Sequence, residues 1–66
     1  MEQLLGLRWV REARGYSQEE LAELSGVTQA RISLLERGRA KARRATIRRL
    51  ADALECRQLD LIRGPH

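Results

Sequence analysis

Two helix starts lie so close together in residues 16–37 that almost nothing is left for the turn between them. The first is Ser17-Gln18-Glu19-Glu20, a capping box in which the serine oxygen and the glutamate carboxylate each satisfy an orphaned backbone N–H of the other. Tyr16 before the cap and Leu21 four places into the helix form a hydrophobic staple. The second start repeats the device: Val27 precedes the cap Thr28, and Ile32 stands at the fourth helical position. Gly26 lies between them, where a left-handed residue past a helix end costs a glycine least. One helix therefore ends at Gly26, Val27 drops into the core, and Thr28 opens the next. In that next helix Ile32 and Leu35 point inward, which turns Ala30, Ser33, Leu34 and Arg37 to the opposite face and leaves Gln29 at the exposed first turn.

Amphipathic spacing continues on both sides of this joint. A helix is expected over residues 3–14 with Leu4, Leu7 and Val10 inward, although Gly6 should loosen its start by about 1 kcal/mol relative to alanine. Another is expected over 46–54 with Ile47, Leu50 and Leu54 inward, and a short last one carries Leu59, Leu61 and Ile62. Internal repeats, low-complexity tracts and β-alternation are not seen. The expectation is an all-α, compact four- to five-helix domain. A chain of 66 residues buries only about 60% of its unfolded surface, too little for two cores, so residues 1–66 read as one domain with a flexible Gly-Pro tail at 63–66.

Charge is informative once it is mapped. Residues 31–49 hold Arg31, Arg37, Arg39, Lys41, Arg43, Arg44, Arg48 and Arg49 against the single Glu36, a local +7, while the whole chain carries +4 and the remainder therefore −3. Such a concentrated patch is the footprint of a phosphate-binding surface; the alternative is a solvated basic loop. No apolar run approaches a membrane span and the N-terminus lacks a signal-peptide layout, which points to the cytoplasm and away from membranes. The only cysteine, Cys56, excludes an intrachain disulfide and a multi-cysteine metal site, and among apolar neighbours in sequence it reads as a buried thiol rather than a reactive one. Catalysis has no basis: the sole histidine is His66 in the tail, no carboxylate pair or glycine-rich phosphate loop is present, and the serines at 17, 25 and 33 suit caps and turns. No cofactor and no metal is expected.

Two short helices joined by a tight glycine-containing turn describe a helix-turn-helix, here about 17–37, whose second helix lies in the DNA major groove. The residues GYSQEELAELSGVTQARISLLERGR, followed by TIRRLADAL, closely resemble the phage-repressor and Cro-like (XRE-type) helix-turn-helix family over about residues 7–62. The resemblance implies a five-helix fold, cytoplasmic transcriptional control, and binding to double-stranded DNA as a homodimer on a palindromic operator. By position it implies that Gln18 binds phosphate and braces Gln29, that Thr28 caps its helix and contacts phosphate, and that Gln29 reads the first base. Ala30, Ser33 and Leu34 match the remaining readers, and Arg37, Arg39, Lys41 and Arg43 match the backbone-contacting exit loop. A glutamine amide can pair both N6 and N7 of adenine, and a helix N-terminus such as that at Gln18 offers free N–H groups to an anion.

Departures from the family pattern limit that inheritance. Leu34 stands where many members carry arginine, lysine or glutamine, and Ala30 is equally mute, so specificity rests on few hydrogen bonds and on DNA shape. Arg31, on the flank of its helix, is open either to a phosphate or to an intramolecular pair. Glu36 aligns with the family's acidic partner of a helix-one arginine, here Arg11, which implies a structural salt bridge. Glu55 replaces the glycine that usually ends the fourth helix, and Arg44 replaces an apolar residue. Leu5, Trp9 and Ala13 make a second apolar stripe on the first helix. It either packs against Leu59 or Ile62, or presents Leu5 and Trp9 as a dimer or partner interface. The function expected is a sequence-specific DNA-binding transcriptional regulator. The alternative is a protein-interaction module or antitoxin built on the same fold, in which the third helix and Leu34 grip a protein partner.

Overall fold

The structure, a computed structural model, describes residues 1–64. Five helices follow one another: α1 (Leu7–Ala13), α2 (Gln18–Ser25), α3 (Gln29–Glu36), α4 (Arg44–Leu54) and α5 (Gln58–Arg63). The all-α expectation holds, with one isolated antiparallel β-bridge, between Glu2 and Ala42, among the described residues. No helix among them is long and apolar enough to cross a membrane.

The α2–α3 joint forms as its caps require. Ser17 Oγ accepts from the Glu20 N–H at 3.0 Å while Glu20 Oε1 accepts from the Ser17 N–H at 2.8 Å. Gly26 ends α2 at φ +76°, its N–H donating to the Ala22 carbonyl. Val27 is buried, and Thr28 Oγ1 accepts from the Arg31 N–H at 3.2 Å to start α3. Ser25 Oγ accepts from the Val27 N–H at 3.1 Å, so the turn is held from both ends. Leu21, Ile32 and Leu35 are fully or almost fully buried and belong to one core with Leu50 and Leu54 of α4, which are also fully buried; α2 packs against both α3 and α4. Each such side chain contributes roughly 1.5–3 kcal/mol.

Helix boundaries depart from expectation at both ends of the chain. Residues 3–6 are not helical; α1 begins at Leu7, and Gly6 is a buried residue at its N-cap. The segment before it extends instead toward Ala42, with Glu2 N–H to Ala42 carbonyl at 2.9 Å and the reverse bond at 2.7 Å. Gly6 does not loosen a helix. Its N–H donates to the Leu61 carbonyl at 2.8 Å, and a Cβ there would lie 2.1 Å from the Asp60 carbonyl oxygen and 2.6 Å from Gly64 Cα. The chain before α1 and the end of α5 thus touch backbone to backbone at Gly6 and Gly64, neither of which carries a side chain.

α4 starts at Arg44, two residues before the expected Thr46, because the pinned Ala42 leaves Arg43 extended and the helix opens directly after it. At its far end Glu55 takes the left-handed conformation (φ +53°, ψ +48°) that its glycine-replacing position requires. Arg14 compensates: its Nε donates to the Leu54 carbonyl at 2.7 Å and its Nη2 to the Glu55 carbonyl at 2.9 Å, capping α4 from α1. α5 is started by Asp60, which accepts from the Arg57 N–H at 3.0 Å and from the Arg57 guanidinium at 3.1 Å. In α5 Leu61 is fully buried, Ile62 half-buried and Leu59 exposed. Of the tail expected to be flexible, Arg63 belongs to α5 and the Gly64 N–H donates to the Asp60 carbonyl; residues 65 and 66, including His66, lie outside the described residues.

Candidate nucleic-acid interface

At the start of α3, Thr28, Gln29, Ala30 and Arg31 are all exposed, whereas Ser33 and Leu34 are half-buried. The cap at Thr28 fixes the first turn, so Gln29 projects from a helix end whose direction is set by the buried Val27 and Ile32 on either side. Among the residues matched to base readers, Gln29 and Ser33 carry hydrogen-bonding groups; Ala30 offers a methyl, and Leu34 an apolar surface already half covered. Arg31 takes part in none of the ion pairs among the described residues, which leaves its guanidinium available to an anion.

Behind this face lies the ion pair expected from sequence. Arg11 Nε donates to Glu36 Oε2 at 2.6 Å and Nη2 to Glu36 Oε1 at 3.0 Å, with side chains only 11% and 3% exposed. The third guanidinium nitrogen donates to the Tyr16 carbonyl at 2.7 Å. The hydrogen bonds that Arg11 donates to Glu36 raise its pKa above the ordinary arginine value despite its burial. No buried side-chain nitrogen or oxygen is left without a partner among the described residues, as a buried charge pair requires.

Gln18 departs from its expected contact. Its Nε2 donates to Glu36 Oε1 at 3.0 Å, and no hydrogen bond among the described residues joins it to Gln29. The brace therefore runs from Gln18 to the end of α3 rather than to its beginning. The physical reason is charge: a carboxylate is a stronger acceptor for an amide N–H than a neutral amide oxygen.

The basic segment shows a local order that was missed from sequence. Arg39, Lys41 and Arg43 are exposed while Ala40 is half-buried and Ala42 is 3% exposed. Around Ala42 this alternation is that of extended chain, secured by the Glu2–Ala42 bridge, while Arg39 and Ala40 still lie in the bend that follows α3. Arg-Ala-Lys-Ala-Arg at 39–43 carries that signal in its alternation. Arg37 is exposed as well, its Nε lying 3.4 Å from the Ser33 carbonyl oxygen. The ion pairs among the described residues are Arg8–Glu12, Arg11–Glu36 and Arg57–Asp60. None of them uses any of the eight basic side chains between 31 and 49.

Leu5, just before α1, and Trp9 on α1 are 68% and 55% exposed, and Leu59 of α5 is 50% exposed, so Leu5 and Trp9 do not share one helical stripe. The expected packing of Trp9 against Leu59 or Ile62 does not bury it, because α1 and α5 meet through the backbone at Gly6 and leave the flanking side chains outside. Trp9 instead borders a cavity of about 250 Å³ with Val10, Ala13, Arg14, Cys56 and Asp60. Cys56 is half-buried rather than fully enclosed, and burial, followed by the nearby Asp60 carboxylate, pushes its thiol pKa up. Among the described residues no group of three or more His, Cys, Asp or Glu side chains could hold a metal ion.

Known proteins share this arrangement. A transcriptional regulator of the HTH type from Bacillus subtilis, YozG, is 42% identical over 50 residues, covering 74% of this chain. The chain spans 60% of that regulator's length. Among solved structures, the restriction-modification controller protein C.AhdI from Aeromonas hydrophila is similar at a TM-score of 0.79 and 40% identity, with 83% of each chain covered. The P22 c2 repressor, solved in complex with a synthetic operator, is similar at a TM-score of 0.82 and 29% identity, covering 96% of this chain and 98% of the repressor chain. The HTH_3 helix-turn-helix profile matches residues 7–61, from the start of α1 to the buried Leu61, and the chain belongs to that family.

Proposed function

We propose that this chain is a sequence-specific DNA-binding transcriptional regulator that acts in the cytoplasm. On this reading α3 enters the major groove of double-stranded DNA. Gln29 reads an adenine, Ser33 adds a hydrogen bond, and Ala30 and Leu34 give only apolar contact. Gln18, Thr28, Arg31, Arg37, Arg39, Lys41 and Arg43 hold phosphates. Residues 1–66 act as one unit, two copies of which bind a palindromic operator. It is a binding protein and not an enzyme. One observation carries the reading: the exposed first turn of α3 continues into a basic segment none of whose eight cations is ion-paired among the described residues. Cations left unpaired beside a groove-sized helix are what counterion release from DNA needs.

Titration of the chain with random-sequence duplex over a range of salt tests this directly. Association should weaken linearly on a log–log plot by about 0.9 per phosphate contacted, and selection from randomised DNA should then return a two-fold symmetric site. Absence of salt-dependent association would leave the protein-interaction or antitoxin reading as the better account. That second reading draws on the exposed Leu5, Trp9 and Leu59, which suit a protein partner or a second copy.

A further inference from the structure

We infer that Glu36 is a positioning residue for DNA binding, acting through Gln18 rather than through the fold alone. The inference rests on the DNA-binding reading and concerns how its phosphate contact at α2 is prepared. Glu36 lies at the last position of α3 with its side chain 3% exposed, so it does not reach a ligand itself. Its carboxylate is fixed by two bonds from Arg11, and Arg11 is fixed in turn by the carbonyl of Tyr16, the residue just before the α2 cap. The Gln18 Nε2 donates into that carboxylate at 3.0 Å. Tyr16, Arg11, Glu36 and Gln18 thus form a ring that closes on itself through the start of α2.

The chemistry of the ring sets the outward face of Gln18. A carboxylate only accepts, so the amide must turn its nitrogen inward, and its oxygen cannot take that place. One N–H is then held by Glu36. The second N–H and the oxygen stay free at the N-terminal turn of α2, where backbone N–H groups already favour an anion. Gln18 is therefore ordered before DNA arrives. Without Glu36 it would have to be ordered on binding, which for one such side chain lowers affinity by about two- to tenfold.

A double-mutant cycle on the full chain tests this, read as affinity per folded molecule for one random-sequence duplex at fixed low salt. Side-chain ¹⁵N relaxation of the Gln18 amide is measured alongside, without DNA. Glu36→Gln should lower affinity about two- to tenfold and mobilise the Gln18 amide. In a Gln18→Ala background the same substitution should lower affinity no further. Glu36→Asp keeps the charge for Arg11 but withdraws the carboxylate by one methylene, and it should behave alike; it carries the test should Glu36→Gln fail to fold. The inference is overturned by equal losses with and without Gln18, by wild-type affinity in Glu36→Asp, or by a Gln18 amide as mobile in the wild type as in the variants. A wild-type chain that does not bind the duplex overturns the DNA-binding reading itself, whereas additive losses in a chain that binds overturn the positioning role alone.

Discussion

Replacing Gly6 by alanine sets two physical arguments against each other with opposite signs. Inside a helix, where the sequence pattern alone would put it, the change should stabilise by about 1 kcal/mol; at the N-cap, where Gly6 sits, that gain is absent because glycine is preferred over alanine there. The backbone raises no objection, because Gly6 sits at φ −100°, ψ −2°, a conformation open to any residue. The surroundings do object. A Cβ would lie 2.1 Å from the Asp60 carbonyl oxygen, 2.6 Å from Gly64 Cα and 2.9 Å from Gly64 N, and these are backbone atoms that cannot swing aside. To restore ordinary contact the end of α5 must retreat by more than an ångström. The retreat would strain the 2.8 Å bond from the Gly6 N–H to the Leu61 carbonyl and lift Leu61, now fully buried, from the core.

Overpacking of this kind costs about 1–3 kcal/mol, a lost hydrogen bond about 1, and partial exposure of a leucine a fraction of about 1.5–3. These costs overlap, since one retreat of α5 relieves the contact at the expense of the others, and the net loss is about 2–4 kcal/mol. For a chain of this size that is a drop in Tm of roughly 10–30 °C. It is also a large part of a total stability expected at about 3–10 kcal/mol. Thermal melts followed by circular dichroism, with urea titrations at equal m-value, give the answer. A Gly6→Ala protein that melts at or above the wild-type temperature would refute the close approach of α1 and α5.

Three further outcomes are expected. Glu55→Gly should stabilise by about 0.5–1 kcal/mol, since a left-handed non-glycine residue is relieved while the unfolded chain gains freedom; urea unfolding at constant m-value would show it, and a lower midpoint would count against it. Arg39→Ala should weaken specific and random duplex alike and reduce the salt slope by about one unit, because phosphates carry no base code; a changed sequence preference at constant slope would contradict that role. Gln29→Ala should flatten the preference at one base pair per half-site by about 1–3 kcal/mol while nearly sparing random-sequence binding, and operators substituted one base pair at a time would reveal a retained preference if the reader lies elsewhere.

What could be foreseen divides by the range of the interaction. The caps of α2 and α3 were legible because Ser17 with Glu20 and Thr28 with Arg31 are bonds three residues apart, written in a few adjacent letters. The left-handed conformation of Glu55 was not foreseen: the resemblance marked the position only as one where a glycine usually ends the fourth helix. Nor was the start of α1, since residues 3–6 answer to Ala42 and Leu61, partners far along the chain that no local period records. Arg14 as the cap of α4 was missed for the same reason: its acceptors lie forty residues away. In the candidate site the Arg11–Glu36 pair came from resemblance and stands, whereas the partner of Gln18 was misplaced. Gln29 and Glu36 are seven residues apart on one helix, and only geometry decides which of them an amide on α2 meets.

The composition of the exposed α3 face bears on how the proposed regulator discriminates. One bidentate contact from Gln29 supplies about 1–3 kcal/mol per half-site, so a two-fold symmetric complex has about 2–6 kcal/mol from that source. Specific protein–DNA complexes exceed their own non-specific binding by about 4–10 kcal/mol. Ala30 and the half-buried Leu34 add little to close the difference. The eight cations of residues 31–49, none of them ion-paired among the described residues, would raise affinity for every sequence equally and would not close it either. One term is left: the ease with which a sequence takes the shape that the bridged basic loop would demand. The Glu2–Ala42 bridge matters for it, because a loop held at Ala42 would present a fixed phosphate spacing to the DNA. On the proposed reading, a chain with so few base-reading groups needs the order of its basic loop as much as the chemistry of α3.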